Sequence, residues 1–246
     1  MSTPFLSLIF PAHNEETRLP ETLKQIIEFA SKQTYPIEVL VVENGSMDKT
    51  FQIARDFTAQ HPQVRVLQNV QSGKGRAVKQ GMLASQGDYR FMCDVDLSMP
   101  VDEINRFLPP ALEGYDIAIA SREALGAVRY EEPYYRHIIG RIYNGLIRTL
   151  ALPGLQDTQC GFKCFTGAVA EDLFQRQTLT GWSFDVEILF IARLLGYNVI
   201  EMPIHWYYNP HSKISVVRDS FKMGVDLLTI RLNALRGIYT HSNARL

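Results

Sequence analysis

Residues 90–96 read RFMCDVD, a short apolar run that ends in two carboxylates, Asp94 and Asp96. We predict a buried strand over residues 89–94, and side chains at positions i and i+2 of an extended segment point to the same side. Asp94 and Asp96 are therefore expected to converge on one cation. Ligands of open α/β sheets bind at the carboxyl ends of the strands, and one or two carboxylates hold Mg²⁺ together with phosphate oxygens. The stretch predicts a metal and phosphate site, with a solvated acidic turn as the alternative.

Apolar runs alternate with helical patterns before this stretch and just beyond it. Their spacing is that of βαβ units, in which a helix connects two parallel strands. We therefore predict an α/β protein with a doubly wound, mostly parallel sheet and helices on both faces. The predicted strands span residues 5–11, 37–42, 64–67, 89–94 and 116–120, and the predicted helices span 19–30, 50–57, 74–84 and 101–112.

The sequence changes character after Ser121. Arginines recur among Tyr, Ile and Leu residues, and we predict two basic amphipathic helices, at residues 134–152 and 216–238. The whole chain, residues 1–246, is expected to form a single domain. Between the two amphipathic helices, the patterns predict a strand at 160–165, a helix at 186–195 and a strand at 199–206.

The composition is that of an ordinary globular protein. Of the 246 residues, 46% are hydrophobic and 21% are charged, and the net charge of −1 argues against a general nucleic-acid binder. Cys93, Cys160 and Cys164 form no CxxC pair, which favours reduced thiols in a cytosolic protein. The sequence shows no secretory signal and no run of 18 apolar residues, so neither export nor a membrane span is expected.

Two common phosphate-binding motifs fail on this sequence. Residues 45–50 end like a P-loop, but Glu43 and Asp48 stand where that loop needs glycine, which argues against an NTPase. Residues 73–78 begin like a dinucleotide-binding fingerprint, but Val78 replaces its third glycine, which argues against a nicotinamide oxidoreductase.

Polar turns follow successive predicted strands, and in a parallel sheet such turns gather along one edge. Acidic groups in the first two turns can accept hydrogen bonds from a base or a ribose, with a pyrophosphate and its metal at the fourth. For the second turn alone, a plain turn followed by a helix cap is the alternative. The four turns lie at residues 11–15, 43–46, 73–75 and 94–96.

Several of these segments resemble glycosyltransferase family 2, whose members have a GT-A fold. The resemblance begins with PAHNE at residues 11–15, ENGS at 43–46 and DVD at 94–96. Downstream, DTQCGFK at 157–163, WSFDVE at 182–187 and SK at 212–213 are similar to the polyprenyl-phosphate branch, and within it to the dolichyl-phosphate β-glucosyltransferases. The resemblance covers nearly the whole chain.

The resemblance implies inverting transfer of a sugar, glucose in the nearest members, from a UDP-sugar to a polyprenyl (dolichyl-type) monophosphate, with Mg²⁺ or Mn²⁺. Residues 1–121 would form the nucleotide-sugar-binding half and residues 122–246 the acceptor-binding half. Asp94 and Asp96 would be the metal ligands. The nucleotide-sugar-binding residues implied are Pro11, His13, Glu15, Val41, Glu43, Asn44, Lys74, Asp94, Val95 and Asp96. Those implied for the acceptor are Arg122, Arg136, Lys163, Trp182 and Lys213.

The sequence departs from the family pattern at two positions of the donor site. His13 stands where the family usually has Tyr, and Glu43-Asn44 replaces the usual pair of aspartates. The loss of one acid at Asn44 bears on base or sugar preference more than on catalysis. The membrane-spanning segment of many relatives is not found, so we expect a peripheral protein on the cytoplasmic face of a membrane, with a membrane-anchored protein as a further possible partner.

A lipid monophosphate is already an anionic nucleophile, so its attack on the sugar requires charge neutralisation more than a general base. We predict that Asp94, Asp96, Arg122, Arg136 and Asp185 are the catalytic residues. Asp185 is either a base, as a hydroxyl acceptor would require, or the cap of the following helix. Lys163, Trp182 and Lys213 contact the acceptor or are ordinary solvated and core residues. A non-catalytic UDP-sugar-binding protein is the alternative from a different class.

Overall fold

The computed structural model describes residues 3–209 and 216–240. Within this part of the chain, strands and helices alternate through the first half as the periodicity predicts. The strands are β1 (Leu6–Ala12), β2 (Ile37–Asn44), β3 (Val64–Asn69), β4 (Tyr89–Met92), β5 (Ile117–Ser121), β6 (Val128–Tyr130), β7 (Lys163–Thr166), β8 (Val199–Pro203) and β9 (His205–Tyr207). The helices are α1 (Leu19–Ser31), α2 (Thr50–Gln60), α3 (Lys74–Ala84), α4 (Tyr134–Leu150), α5 (Gly167–Arg176), α6 (Phe184–Leu194) and α7 (Val216–Leu235).

A seven-stranded sheet organises the described residues, with the strand order β3-β2-β1-β4-β7-β5-β8. All neighbouring strands are parallel except β7, which runs antiparallel to both β4 and β5. A separate parallel ribbon pairs β6 with β9. The prediction of a doubly wound, mostly parallel sheet is confirmed.

The sheet is buried on both faces, which is why its strands read as continuous apolar runs. Leu8, Phe10 and Phe91 pack on the side of α1 and α2, whereas Ile9 and Met92 pack on the side of α3, α5 and α6. Successive side chains of a strand point to opposite faces, so a single run such as Leu6–Ala12 supplies both cores.

The fold places a ligand-binding crevice at the carboxyl ends of β1 and β4. From β1 the chain moves outward through β2 and β3, then returns to the opposite side of β1 with β4, and such a reversal of strand order marks the usual binding site of an α/β sheet. Because β7 is antiparallel, its first residue, Lys163, is paired with Met92 and Ile119 at this same edge. The DTQCGFK segment therefore enters the site from the second half of the chain.

Several predicted boundaries are wrong, each for a local reason. Strand β4 ends at Met92, two residues earlier than predicted, and residues 101–107 form a 3-10 helix in place of the predicted 12-residue α-helix. Pro109 and Pro110 lack the N–H groups that a longer helix would need. The predicted strand over 199–206 is divided at Ile204 into β8 and β9.

In the second half of the chain, β7 begins at Lys163 rather than at residue 160. Helix α7 ends at Leu235, two residues before Gly237, whose φ of 71° favours glycine. Helix α5 and strand β6 were not predicted. Within residues 3–209 and 216–240, no helix combines the length and the apolar character that a membrane crossing requires.

Candidate active site

The turn after β1 is fastened to the turn after β2 by a set of polar contacts. Nδ1 of His13 lies 2.7 Å from the carbonyl oxygen of Asn44. Asn14 has a φ of 52°, and its backbone N–H donates to Oγ of Ser46 at 3.0 Å while its Oδ1 accepts from the N–H of Met47 at 2.9 Å. Asn tolerates this left-handed conformation better than most residues. The two predicted nucleoside turns are therefore one rigid unit.

Glu15 and Glu43, the acids of these two turns, both accept hydrogen bonds from nearby protein groups. Glu15 accepts two hydrogen bonds from the guanidinium of Arg18, each at 2.7 Å, and its backbone N–H donates to Oγ1 of Thr50. Glu43 is buried and accepts a hydrogen bond from the N–H of Ser46. Glu43 thus closes its own turn, as in the alternative for residues 43–46, but the helix that follows, α2, has no side-chain cap, so the second part of that alternative is wrong.

The other predicted nucleoside residues differ in accessibility. Pro11 is partly exposed at the end of β1. Val41 is fully buried in the core on the α1 and α2 side, so its side chain does not face the surface crevice. Asn44 is 5% exposed, and its Oδ1 is buried without a hydrogen-bond partner among the described residues. A buried unpaired acceptor of this kind is costly unless a water or a ligand satisfies it.

The two carboxylates lie in the turn that follows β4 rather than in the strand. This turn is held by Oγ1 of Thr22, which donates to the carbonyl of Val95 at 2.5 Å, and by the N–H of Ser98, which donates to Oδ1 of Asp96 at 3.1 Å. Burial, and then the neighbouring charge of Asp94, raise the pKa of Asp96. The prediction that Asp94 and Asp96 converge because they belong to an extended strand is therefore wrong, but the two carboxylates are close enough to repel each other.

Lys74, the first residue of α3, is paired with one of these carboxylates. Its Nζ lies 2.6 Å from Oδ1 of Asp94 and 5.3 Å from the centre of the Trp182 ring. Burial alone would lower the pKa of Lys74, but the carboxylates around it, Asp94 first, raise it above the usual value. Lys74 is thus a charged ammonium, held between an acid and an aromatic face.

Glycines bring the WSFDVE segment against the start of α3. A Cβ on Gly73 would lie 2.7 Å from the carbonyl oxygen of Thr180, and a Cβ on Gly75 would lie 2.7 Å from Cβ of Phe184. The GKG sequence, which begins like a dinucleotide fingerprint, therefore serves close packing here. This packing places Trp182 next to Lys74.

A second lysine and acid form a buried pair beside the first. Nζ of Lys163 lies 2.7 Å from Oδ1 of Asp185 and donates to the carbonyl of Cys160 at 2.5 Å. The Lys163 and Asp185 side chains are only 2% and 5% exposed, so Lys163 is not a solvated lysine. The N-cap residue of α6 is Ser183, and the structure shows no side-chain cap for this helix, so Asp185 is not its cap. Burial raises the pKa of Asp185.

The DTQCGFK segment packs against the Asp94 carboxylate at Gly161. A Cβ on Gly161 would lie 1.8 Å from Oδ2 of Asp94, so no residue other than glycine fits while this carboxylate keeps its place. These contacts join the DVD, DTQCGFK and WSFDVE motifs in a closed series of interactions, called here the ring. Asp94 pairs with Lys74, and Lys74 is close enough to Asp185 to interact with its charge. Asp185 pairs with Lys163, whose ammonium also binds the carbonyl of Cys160 in the same segment that contacts Asp94.

Arg122, predicted to bind the acceptor phosphate, is paired with Asp157 of the DTQCGFK segment. Its Nε and Nη2 donate to the two Asp157 oxygens at 2.6 and 2.9 Å, and its guanidinium lies 5.3 Å from the centre of the Trp206 ring. Asp157 is fully buried, and although burial opposes its ionisation, Arg122 lowers its pKa to about 2. The N–H groups of Gln156 and Asp157 both donate to Glu201 on β8.

A neighbouring ion-pair network was not predicted from the sequence. Arg129 on β6 bridges Glu123 and Glu132, and Arg141 on α4 also reaches Glu123. The Arg129 guanidinium lies 5.9 Å from the Trp206 ring, on which Arg122 also rests. The recurrence of arginines after Ser121 was the available signal, but the sequence does not show which of them are neutralised.

Two predicted acceptor residues cannot be placed. Arg136 belongs to α4, but the structure describes nothing of its side chain, and Lys213 lies outside the described residues. Of the other predicted residues, Lys74, Asp94, Asp96, Lys163, Trp182 and Asp185 lie together, while Arg122 lies with Asp157 and Trp206. Over residues 3–209 and 216–240, no three His, Cys, Asp or Glu side chains cluster as metal ligands.

Comparison with known proteins shows the family of the chain. The model of the Glycosyl transferase family 2 matches residues 7–174. A dolichyl-phosphate beta-glucosyltransferase from Dictyostelium discoideum is 32% identical over 249 residues, covering 96% of this chain and 76% of that protein. The protein of the same name from Mus musculus is 32% identical, covering 99% and 80%, and that from Saccharomyces cerevisiae is 31% identical, covering 96% and 76%.

Solved structures share the fold at low sequence identity. Mannosyl-3-phosphoglycerate synthase from Rubrobacter xylanophilus superposes with a TM-score of 0.69 at 17% identity, covering 99% of this chain and 77% of that one. Glucosyl-3-phosphoglycerate synthase from Mycobacterium tuberculosis, crystallised with Mn²⁺ and UDP-glucose, gives a TM-score of 0.64 at 17% identity, covering 94% and 78%. The fold is GT-A, and the chain belongs to glycosyltransferase family 2.

Proposed function

We propose that this enzyme transfers glucose from UDP-glucose to a polyprenyl monophosphate of the dolichyl type, with inversion at the anomeric carbon. The observation that carries the proposal is the ring that joins Asp94 to the DTQCGFK and WSFDVE segments at the reversal point of the sheet. It brings the proposed diphosphate site together with the segments that resemble the polyprenyl-phosphate branch. The relatives that match nearly the whole chain carry the name of this activity.

The donor nucleoside would lie against the unit formed by the first two turns. Pro11, His13 and Glu15 border it from the first turn, and Glu43 and Asn44 from the second. The buried unpaired Oδ1 of Asn44 supports this placement, since an N–H of a base or a bridging water would satisfy it. Val41 contributes from the core, by supporting the backbone of this turn.

The metal site fits a divalent ion shared with the donor. Asp94 and Asp96 would supply two carboxylates, next to the backbone of Val95, and the diphosphate and water would supply the other oxygens that Mg²⁺ or Mn²⁺ prefers. The space at Gly161 supports this fit, because a larger residue there would displace the Asp94 carboxylate. When bound, the ion would stabilise the charge of the departing UDP.

The acceptor phosphate would be held by cations from the second half of the chain. The guanidinium of Arg122 has five N–H groups. Asp157 accepts hydrogen bonds from Nε and Nη2, so the N–H groups of Nη1 remain for a phosphate. Arg122 therefore binds phosphate from a fixed position, with Arg136 and Lys213 as further cations. Trp182 would border the sugar. Lys163 would act indirectly, through its ion pair with Asp185.

The residues fit a direct displacement. An oxygen of the lipid phosphate attacks the anomeric carbon from the side opposite the UDP, and the bond between this carbon and the β-phosphate oxygen breaks. The electron pair leaves with UDP, and no proton needs to move. The protein neutralises and orients two anions that would otherwise repel each other, which is electrostatic catalysis by preorganised charges.

The site disfavours transfer to a hydroxyl acceptor, which would need a general base. Asp185 is the acid proposed for that role, and it is buried and paired with Lys163 at 2.7 Å. If a hydroxyl were the acceptor, Asp185→Asn would abolish transfer while donor binding persisted. A non-catalytic UDP-sugar-binding protein would show neither transfer nor donor hydrolysis with Mn²⁺.

The two halves of the chain would divide the work on one shared sheet. Residues 1–121 would bind the nucleotide sugar, and residues 122–246 the acceptor, because β7 and β8 carry the second half into the sheet beside β4 and β5. We propose that the acceptor-binding half rests on the cytoplasmic face of a membrane. Three buried free cysteines support a reducing compartment.

Helices α4 and α7 support a membrane contact. They pack on each other, and each presents a second, exposed apolar surface in addition to its buried one. This surface, called here the apolar face, consists of Tyr134, Tyr135, Ile138, Leu146 and Leu150 on α4 and Val225, Leu228, Leu232 and Leu235 on α7. Exposed basic residues flank it, namely Arg141, Arg148, Lys222, Arg231 and Arg236. Basic amphipathic helices of this kind bind at the headgroup level of anionic bilayers.

The decisive experiment offers a panel of radiolabelled nucleotide sugars, with Mg²⁺ or Mn²⁺, to polyprenyl monophosphates and to soluble hydroxyl acceptors. We expect transfer from UDP-glucose to the lipid phosphate and formation of the β-linked product. Transfer to the soluble acceptors alone would contradict the proposal, as would the absence of any transfer and any donor hydrolysis.

A further inference from the structure

We propose that Lys74 is an internal counter-ion that couples metal binding to donor binding. In the free enzyme it neutralises Asp94, and when the metal takes this carboxylate, Lys74 changes partner to the diphosphate of the donor. The inference rests on the proposed function, since it assumes a metal at Asp94 and a diphosphate beside it. Its consequence is that metal and nucleotide bind weakly alone and tightly together.

The geometry of the pair sets up this competition. Nζ of Lys74 lies 2.6 Å from Oδ1 of Asp94, and Gly161 packs so closely against Oδ2 of the same carboxylate that a larger residue would not fit. A cation that approaches Asp94 therefore meets a carboxylate already neutralised on one oxygen and crowded on the other. The Lys74 and Asp94 side chains are 16% and 32% exposed, so their attraction is screened less than that of a surface pair.

Of the two lysines in the ring, only Lys74 is placed to change partner. Lys163 is almost fully buried, and its ammonium is fixed by both Asp185 and the carbonyl of Cys160. Lys74 is the first residue of α3, its side chain keeps some exposure at 16%, and its ammonium lies beside the face of Trp182. A diphosphate bound there would give Lys74 a new partner while Trp182 still contacts it.

The charges of the site show why the exchange needs both ligands. Asp94, Asp96 and Asp185 face Lys74 and Lys163, so the five groups carry a net charge of −1. A divalent metal alone would have to separate Lys74 from Asp94 and leave the ammonium without its partner. A diphosphate alone would meet three carboxylates. When both ligands bind, the metal would take the carboxylates and the diphosphate would give Lys74 its new partner, so each should raise the affinity for the other.

The test measures binding rather than turnover. Mn²⁺ is titrated calorimetrically into the full-length enzyme with and without UDP, for the native protein, Lys74→Met, Lys74→Arg and Lys24→Met. Lys24 is an exposed lysine on α1 and serves as the control for a lost surface charge. Lys74→Arg keeps the positive charge, and circular dichroism verifies that each variant is folded.

In the native enzyme and in Lys24→Met, we expect UDP to tighten Mn²⁺ binding strongly. In Lys74→Met, Mn²⁺ alone should bind more tightly than to the native enzyme, and the enhancement by UDP should shrink by about 5–150-fold, the usual range of coupling between two sites. Lys74→Arg should retain most of the enhancement, and it decides the question if Lys74→Met does not fold.

Two results together would overturn the role of Lys74 while leaving the proposed function intact. Without UDP, Mn²⁺ would bind Lys74→Met no more tightly than it binds the native enzyme, and UDP would enhance this binding as much as in the native enzyme. The loss of enhancement in a folded Lys74→Arg would also overturn this role. Native enzyme that binds neither Mn²⁺ nor UDP, even together, would instead overturn the proposed function and this inference with it.

Discussion

Asp94 is constrained on both carboxylate oxygens, by Lys74 on one and by Gly161 on the other. It lies in a turn outside the core, so Asp94→Asn should leave the melting temperature nearly unchanged. Transfer should fall by about 10²–10³, the usual loss when one electrostatic stabiliser of a transition state is removed, and Asp96→Asn should behave alike. Transfer assays with Mn²⁺ measure this, with the exposed Asp56→Asn as the control. A mutant with native turnover in the presence of a chelator would refute the metal site.

Gly161 should be as sensitive as the carboxylate that it contacts. In Gly161→Ala the new Cβ would fall 1.8 Å from Oδ2 of Asp94, so the carboxylate must move. We expect UDP binding in the presence of Mn²⁺ and transfer to fall together, as measured by calorimetry and by the transfer assay. Gly140→Ala in α4 is the matched control, because its Cβ would meet nothing within 4 Å and alanine favours a helix by up to about 1 kcal/mol. Native UDP binding in Gly161→Ala would show that Asp94 tolerates displacement.

The buried pair of Arg122 and Asp157 makes stability depend on pH in a defined window. The pKa of Asp157 falls from 3.8 to about 2 on folding, so its contribution is complete above its unfolded pKa and is lost as the pH falls through about 2. Asp157→Asn should remove this acid-range loss and lower the free energy of unfolding near neutral pH by roughly 3–5 kcal/mol, because it leaves Arg122 unpaired. Urea unfolding of both proteins between about pH 4 and pH 2 measures the difference. Parallel curves in this range would place the acid sensitivity elsewhere.

Among the elements, the strands of the first half follow from the sequence because each is a continuous apolar run, and α1, α2 and α3 follow because each has a clear period. Helix α3 begins and ends where the pattern predicts, at Lys74 and Ala84. The β7 strand illustrates what the pattern omits. Its apolar residues indicate a strand, but only the structure shows that it runs antiparallel between β4 and β5. Strand order depends on contacts distant in sequence, which local periodicity does not encode.

The candidate site was predictable in its residue types but not in its pairings. The sequence indicates Lys74, Asp94, Lys163 and Asp185 as polar residues of recognisable motifs, yet the pairing of Lys163 with Asp185 follows from β7 and α6 meeting in space. Helix α5 had a usable signal that was overlooked. Its buried residues Val169, Ala170, Leu173 and Phe174 stand at positions i, i+1, i+4 and i+5.

Helix α7 has two apolar surfaces with different roles, and two adjacent leucines distinguish them. Leu227 is 1% exposed and packs in the core, whereas Leu228 is 61% exposed. Leu228, Leu232 and Leu235 therefore lie on the outer surface of the helix. Leu227→Ala should lower the free energy of unfolding by about 2–5 kcal/mol, and Leu228→Ala should change it by no more than about 0.5 kcal/mol. Urea unfolding measures both, and equal losses would mean that both surfaces are covered in solution.

At the scale of the whole molecule, two surfaces differ in chemistry. The proposed donor site is lined by turns from parallel strands and by paired charges, while α4 and α7 carry the apolar face with basic residues around it. A water-soluble nucleotide sugar suits the first region and an amphiphilic acceptor suits the second. This separation is the physical basis for proposing a reaction at a bilayer surface, with the lipid phosphate reaching Arg122 from the acceptor-binding half.

The apolar face should bind anionic membranes. Burying exposed apolar side chains at the headgroup level is favourable, and each basic residue near an anionic leaflet adds roughly 1 kcal/mol. We expect the protein to float with anionic liposomes at low salt and to be released at high salt, which screens the basic residues. The triple variant Leu228→Ala, Leu232→Ala, Leu235→Ala should float less. Leu194→Ala, which truncates an exposed leucine (44%) at the end of α6 and outside the residues of the apolar face, should float like the native protein. Failure of the native protein to bind anionic vesicles, even when they contain polyprenyl phosphate, would defeat the membrane proposal and favour a soluble acceptor or delivery by a membrane-anchored partner.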